Sequence, residues 1–452
     1  MLSNGIARMS RLGFGAHRLS NEQHVLALRH ALESGCRVID TSPNYCGGES
    51  ETMVGGAVRA FLDSAKGCSR DELTVITKVG VLQGADLHDA KLREASGRPW
   101  PGVVKLSPEA WFCISPEHVA HSVSASTERL GMAPDVVLLH NPEFILADEL
   151  ARSRRDRTRA RTTSAAMPAA SFRDSFYDRI GASLAALTQC HSGRIGVSSN
   201  IEGCRYSVSG RRNDHHESVD LQRVRAAARA SCGDEAAARV SVVQIPLNLL
   251  EPDAAIVRAY GGGAAGVTAG GVTAGGVTAC GLAAGTEAEV GVGGEEEGGI
   301  DHRRHATPRL TPAARAQSLG FSVVSHRPIH AIPPAPSLAR GFGVGPARHM
   351  SLRDATPMPP TSALIRNVAR DVLAPFLGPG AHTLTLRDIA MLFALHAPDV
   401  DCVLSGVRTV EYVDHALSLL GGEEHALSAE AHAALAEAMS ALVDELHGQE
   451  VG

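Results

Sequence analysis

Residues 38–51 read VIDTSPNYCGGESE. An apolar run, RVID at 37–40, ends on Asp40; a polar turn follows, and Tyr45 stands five positions beyond it. The run is too short for a helix and lacks the polar alternation of a half-solvated strand, so it reads as a strand buried on both faces. Seven further runs have the same character: LGFGA at 12–16, LTVITK at 73–78, DVVLLH at 135–140, RIGVS at 194–198, VSVVQIP at 240–246, GFSVVS at 320–325 and DCVLS at 401–405. Helical patterns lie between them. Over 21–34, Val25, Leu28 and Leu32 share a face and Gly35 is a stop; over 116–130, Ser115 is a natural N-cap, Pro116 the first helical residue and Glu117 a first-turn acid. Residues 179–190, 220–230, 384–396 and 409–420 follow the same logic. Eight strands alternating with helices predict an α/β chain folded as a (β/α)8 TIM barrel rather than an open sheet.

Three stretches interrupt that alternation. Residues 81–114 hold both tryptophans, Trp100 and Trp111. Residues 151–171 are rich in Arg, Ser and Ala, and 261–318 open on a crude GGVTA repeat and end rich in His, Arg and Pro. The last two carry too little apolar surface to offset chain entropy, so they are expected to be disordered, low-complexity loop insertions in a single barrel spanning 1–452.

Composition bounds the function. The 452 residues carry 43 basic and 49 acidic side chains, a net charge of −6, with 44% hydrophobic but only 4% aromatic residues. A core resting on Leu, Val, Ile and Ala follows. The mild acidity argues against a nucleic-acid partner, which needs a basic face. No apolar stretch approaches the length of a membrane span, and the first ten residues have no apolar leader, so no membrane partner is expected. Nine scattered cysteines without a CxxC pair read as free thiols in a reducing, cytoplasmic compartment, with no metal site. His302 and His305 lie in the low-complexity tract, and GFGVG at 341–345 has the wrong spacing for a dinucleotide fingerprint.

Four polar residues stand at or just beyond strand ends: Asp40, Tyr45, Lys78 and His140. In a β/α barrel the carboxyl ends of the strands share one rim, where active sites lie, so residues far apart in sequence would meet there. A phenol with an ordinary pKa near 10 is a weak acid at neutral pH; an ammonium beside it favours the phenolate. Lys78 can supply that charge, Asp40 can hold Lys78, and a neutral His140 can donate a hydrogen bond to a carbonyl oxygen. The set suits proton delivery to an oxygen that gains negative charge as a hydride reaches its carbon.

With these residues in view, the chain resembles an aldo-keto reductase. The carriers are LGFGAHRLS at 12–20, VIDTSPNYCGGESE at 38–51, TVITKVG at 74–80, DVVLLHNPE at 135–143, RIGVSSN at 194–200, VVQIPLN at 242–248 and VLSGVRTVEYV at 403–413. The resemblance implies a barrel binding a nicotinamide cofactor across its rim. It makes Tyr45 the general acid or base, with Lys78 and Asp40 tuning it and His140 orienting the carbonyl. Carboxamide contacts fall to Ser198, Ser199 and Gln244, with Asn200 a substitute for Ser199. His326 takes the place of the aromatic that stacks on the nicotinamide, with Arg327 a second lining residue. Gly406 and Arg408 would hold the adenosine-phosphate end, pointing to NADP with NAD as the other option. LLHNPE and HRPIH suggest the sugar-oxidising branch, similar to arabinose or galactose dehydrogenases.

The expected function is therefore an NAD(P)-dependent oxidoreductase acting on a small-molecule aldehyde, ketone or sugar hydroxyl. The rival is a cofactor-binding, redox-sensing barrel without turnover. A barrel hydrolase or lyase would need paired carboxylates or metal ligands at strand ends, where only Asp40 is found. Deletion of 261–305 is expected to leave a barrel that unfolds cooperatively and stays active; a broad, non-cooperative denaturation curve for the deletion would show the tract to be structural.

Overall fold

The eight expected strands close on one another as a parallel barrel. They are β1 (Leu12–Gly15), β2 (Val38–Asp40), β3 (Thr74–Val79), β4 (Val136–His140), β5 (Arg194–Ser198), β6 (Val240–Pro246), β7 (Ser322–His326) and β8 (Cys402–Ser405). Each pairs with the next, and β8 returns to β1. The computed structural model describes residues 9–64, 68–149, 152, 169–204, 218–259, 309–331, 350–352, 358–422 and 426–451. The chain divides into a body formed by Met1–Arg258 with Leu310–Gly452, which holds the barrel, and the segment Ala259–Arg309. In that segment only Ala259 and Arg309 are described. The GGVTA tract, His302, His305, GFGVG and most of 151–171 lie outside the described residues.

Strand register explains how a barrel of buried strands carries polar chemistry. Side chains alternate between the two faces of a strand. Val38, Ile76, Val136, Leu138, Val242, Val324, Cys402 and Leu404 form a small apolar cluster of their own, set apart from the main core. Two residues further along the same faces come Asp40, Lys78, His140, Gln244 and His326. The register puts His140 opposite Ser198 and Ser198 opposite Gln244. An apolar plug therefore fills the lumen, and a polar layer lies directly on it at the carboxyl rim.

The other strand faces, with Ile39, Val75, Val137, Ile195, Val243 and Val323, join the main core beneath the helices. These include α1 (Glu22–Glu33), α2 (Glu49–Ser64), α3 (Gly84–Ala95), α4 (Pro116–Leu130), α5 (Ala169–Cys190), α6 (Leu221–Ala237), α7 (Pro312–Ser318), α8 (Pro360–Leu377), α9 (Leu386–Leu395), α10 (Val410–Gly421) and α11 (Ala429–Val451). Ser115 caps α4 through the backbone N–H of His118, and α4 opens on Pro116.

Several boundaries differ from the sequence reading. Helix α5 begins at Ala169, inside the stretch assigned to the first insertion. The second insertion, expected to run to 318, ends earlier: Pro312–Ser318 is helix α7, with the Thr311 side chain accepting from the N–H of Ala314. A charged, Pro-containing stretch hides this helix, although Thr-Pro is itself an N-cap and first-turn signal. The excursion at 81–114 is a folded appendage: α3 plus an antiparallel sheet of Val81–Leu82, Ala110–Phe112 and Val104–Ser107. Trp111 is buried in its small core with Leu82, Leu87 and Cys113, and Trp100 packs against that core beneath the Arg93 guanidinium at 3.8 Å.

Helices α2 and α4 meet at a glycine. A Cβ on Gly55 would collide with the carbonyl of Leu130, whereas one on the neighbouring Gly56 would meet nothing within 4 Å. Gly55→Ala is expected to lower stability by about 1–3 kcal/mol through overpacking. Gly56→Ala is expected to raise it by about 0.5–1 kcal/mol, because a glycine in a helix interior is entropically unfavourable. Paired urea denaturation curves check both signs.

Candidate active site

Asp40 ends β2, Lys78 lies near the end of β3 and His140 ends β4, so the rim fixes three of the four expected residues. Tyr45 comes from the 3₁₀ turn Tyr45–Gly48, in which Cys46 and Gly47 have φ of 49° and 66°. That turn leads straight into α2, whose buried Glu51 accepts from Thr77 at 2.5 Å and from Arg129 at 2.6 Å. Glu51 thus ties the start of α2 to the residue beside Lys78 and to α4.

The four groups meet. Lys78 Nζ donates to Asp40 Oδ1 at 2.6 Å, to the carbonyl of Thr41 at 3.0 Å and to the Tyr45 hydroxyl at 3.2 Å. The Tyr45 and His140 rings stand edge to face with centroids 6.3 Å apart. Gln244 Nε2 donates to Asp40 Oδ1 at 2.9 Å, and Ser198 donates to Gln244 Oε1 at 2.7 Å. A single hydrogen-bonded chain therefore runs from Ser198 through Gln244 and Asp40 to Lys78 and Tyr45.

Burial sets the protonation states. Lys78 is 1% exposed. Burial opposes its charge, but Asp40 and Tyr45 more than offset it, so the ammonium is held above its ordinary range. Burial pushes the Asp40 carboxyl up against the pull of Lys78 and Gln244. Burial also pushes the Tyr45 phenol up; Lys78 pulls it down, but Asp40 opposes Lys78, and the net direction is upward. The expected pull of Lys78 on the phenol is present, and burial outweighs it. His140 is held well below the usual imidazole range by burial and then by Lys78 and His17, so its ring is neutral. Burial, with Glu49, pushes the Cys46 thiol up as well, which makes it a poor thiolate.

A cavity of about 290 Å³ opens over this layer. Ser198, Ser199, Gln244, His326, Gly406 and Arg408 all line it, together with Asp40, Tyr45 and His140. Neither tryptophan does. Thr409 caps α10 by accepting from the N–H of Tyr412, which puts Gly406 and Arg408 just ahead of a helix N-terminus. Arg327 lines the cavity too and is no surface arginine: its Nη2 donates to Glu251 at 2.7 Å.

Sequence reasoning missed Glu143. It is fully buried, and its carboxylate accepts from the Ser199 hydroxyl at 2.6 Å, the Asn141 side chain at 3.1 Å and the backbone N–H of Asn200 at 3.4 Å. All three donors line the cavity, so Glu143 ties the loop after β4 to the loop after β5. The same bond commits the Ser199 hydroxyl to Glu143, while Asn200 borders the cavity beside it. HNPE carried no signal for this, because a glutamate one turn beyond a strand is ordinarily solvated.

Burial raises the Glu143 carboxyl from 4.5 to about 7, against the hydrogen bonds from Ser199 and Asn141. Between those values the folded chain binds more protons than the unfolded one. Stability from this group is therefore complete below pH 4.5 and is lost as pH rises towards 7, by about 3 kcal/mol in all. Glu143→Gln is expected to flatten that segment of the stability profile; urea midpoints at pH 5 and pH 8 for both proteins measure the difference.

Residues 6–200 match the sequence model of the Aldo/keto reductase family. An aldo-keto reductase of Mycobacterium avium (strain 104) is 42% identical over 77 residues, covering 17% of this chain and 24% of that protein. A 2,5-diketo-D-gluconic acid reductase B of Corynebacterium sp. (strain SHS752001) is 40% identical over 67 residues, covering 15% of this chain and 21% of that protein. The chain thus spans about a quarter of the length of the curated relatives it matches. Among solved structures, an aldo-keto reductase from Bacillus halodurans is similar at 15% identity and a TM-score of 0.47, with 95% of this chain and 92% of that chain covered. An aldo/keto reductase from Klebsiella pneumoniae, solved in complex with NADP and acetate, is similar at 14% identity and a TM-score of 0.44, with coverages of 97% and 92%. Asp40, Tyr45, Lys78 and His140 all lie within the stretch, residues 6–200, that matches the aldo/keto reductase family model.

Proposed function

We propose that the chain is an NAD(P)-dependent oxidoreductase acting on an aldehyde, a ketone or the corresponding alcohol, with Tyr45 as general acid and base. The observation that carries the reading is the 3.2 Å approach of the buried Lys78 ammonium to the hydroxyl of Tyr45, which lines the cavity, with Asp40 bound to the same ammonium. The cavity suits a dinucleotide. Its wall offers the amide and hydroxyl groups of Gln244 and Ser198, Gly406, where an added Cβ would meet only the Gly15 carbonyl, 3.9 Å away, and the cation Arg408. Gly406 lets a ligand approach the backbone, and Arg408 favours the extra phosphate of NADP over NAD.

A bound nicotinamide supplies or accepts the hydride. The chain's own groups handle the proton. At rest the phenol is neutral, as an acid must be, because burial holds its pKa up. When it gives its proton to a carbonyl oxygen, the phenolate left behind faces an ammonium already in hydrogen-bond contact, so the charge is stabilised without reorganisation. In the oxidative direction the same pair receives the proton. Asp40 fixes the ammonium, and Gln244 fixes Asp40. Neutral His140 has an N–H to orient the carbonyl without adding a second positive charge beside Lys78. The resemblance of LLHNPE and HRPIH to sugar dehydrogenases favours aldoses within this substrate class.

Tyr45→Phe is expected to reduce turnover by about 10²–10⁴-fold, the usual contribution of a positioned acid, and to leave NADPH binding within a factor of a few. A carbonyl and aldose panel followed by cofactor absorbance separates the enzyme from a redox-sensing barrel, which would bind NADPH tightly and turn over nothing. Undiminished catalysis by the phenylalanine variant would remove Tyr45 from the chemistry.

A further inference from the structure

Helix α3 of the 81–114 appendage starts at Gly84, and the residue before it, Gln83, makes no side-chain cap on the helix. Asn44 stands before the 3₁₀ turn of Tyr45 and likewise caps nothing. The two amides bond to each other instead: Asn44 Nδ2 donates to Gln83 Oε1 at 3.1 Å. The backbones beside them are in contact too. A Cβ on Gly84 would lie 2.9 Å from the Cα of Gly47, so the appendage is seated directly on the turn that carries Tyr45.

From Asn44 the bonding continues inward. Ser42, only 1% exposed, donates to Asn44 Oδ1 at 2.6 Å, and its oxygen lies 3.4 Å from His140 Nδ1. Four side chains thus form one line from Gln83 through Asn44 and Ser42 to His140. Asn44 and His140 line the cavity, whereas Gln83 does not.

Proton counting gives the line a direction. A hydroxyl has one proton, and a neutral imidazole carries one N–H, on one nitrogen or the other. Burial, Lys78 and His17 keep His140 neutral. In the bond order observed, Ser42 has committed its proton to Asn44, so it can only accept from His140. The N–H is then on Nδ1, and Nε2, which has no partner among the described residues, is a bare lone pair. A primary amide presents nitrogen in place of oxygen after a half-turn of its terminal torsion. With both amides turned, Gln83 donates to Asn44, Asn44 to Ser42 and Ser42 to Nδ1, and Nε2 carries the N–H. Only that second order gives the ring a donor on the nitrogen that Ser42 does not engage. The same donor serves reduction and oxidation, because both pass through one transition state with negative charge on the substrate oxygen.

We propose that Gln83 is a positioning residue of the appendage that, through Asn44 and Ser42, sets which nitrogen of His140 carries the proton and so whether the site presents an N–H to the reacting oxygen. The proposal rests on the reading of His140 as the group that orients the carbonyl.

The test uses the full chain with position 83 made acceptor-only, Gln83→Glu, or donor-only, Gln83→Lys, each alone and with Ser42→Ala. The value of kcat for carbonyl reduction is read at saturating NADPH, and NADPH affinity by fluorescence titration. Gln83→Glu is expected to lower kcat by about 10²-fold, the usual cost of removing one donor to a developing oxyanion. Gln83→Lys is expected to hold kcat at or above the wild-type value, and NADPH affinity is expected to be unchanged in both. With Ser42→Ala the line is cut, and the glutamate and lysine forms are expected to share one kcat. Changes of the same sign in the two variants overturn the proposal. So does a difference that survives Ser42→Ala, which would be charge acting through space. Asn44→Asp is a second acceptor-only variant; it is expected to repeat the glutamate result and stays informative if substitution at 83 unseats the appendage. Protein labelled with ¹⁵N-histidine reads the tautomer without turnover, the His140 signals being assigned by their loss in His140→Gln. An Nδ1–H in the glutamate variant and an Nε2–H in the lysine variant support the relay, and one tautomer in both overturns it. A wild type that reduces no carbonyl compound refutes the reading of the cavity instead, and the labelled spectra still decide the relay.

Discussion

A lysine ammonium held almost entirely out of water is the constraint around which the rim is arranged. Removing such a charge from solvent costs several kcal/mol unless partners compensate. Lys78 has three: a carboxylate, a backbone carbonyl and a phenol. Asp40 and Lys78 come from neighbouring strands, and the phenol comes from the turn that leads into α2. Moving any one of them leaves a buried charge exposed to low dielectric. The requirement that stabilises the ammonium therefore also sets the distance between it and the phenol, so folding and preorganisation are the same event at this point.

Around that centre, two other buried carboxylates act as ties. Glu143 joins the loops after β4 and β5, and Glu251 orients Arg327 beyond β7. Each sets residues on the cavity wall from a position behind it. A third, Glu51, braces α2 against Thr77 and Arg129. Loops at a barrel rim carry specificity but lack the ladder bonds that hold strands. Buried acids accepting several hydrogen bonds supply some of that rigidity, and in Glu143 they do so with a carboxyl that titrates near neutrality.

The barrel and its rim were largely legible because both rest on local signals. Strand ends such as Asp40, Lys78 and His140 follow from short apolar runs, and period-two alternation then carries them onto the inward face above Val38, Ile76 and Leu138. Helix α4 was legible through Ser115 and Pro116. The start of α5 and all of α7 were not, because a Ser/Ala-rich or charged stretch has weak periodicity until a neighbouring surface buries one side. The fold of the 81–114 appendage was hidden for a related reason: its small core around Trp111 is assembled from pieces that pair only after the chain doubles back.

By itself the sequence determined which eight segments become strands, their order, and that an acid, an amine, an imidazole and a nearby phenol would cluster at strand ends. These depend on residue type and short-range spacing. Only the tertiary structure decided that burial outweighs Lys78 in setting the Tyr45 phenol, that Glu143 lies behind the wall holding Ser199, and that Arg327 is gripped by Glu251. Each of these depends on solvent exclusion or on contacts between distant segments, 76 positions apart for Arg327 and Glu251. Neither quantity exists until the barrel has closed.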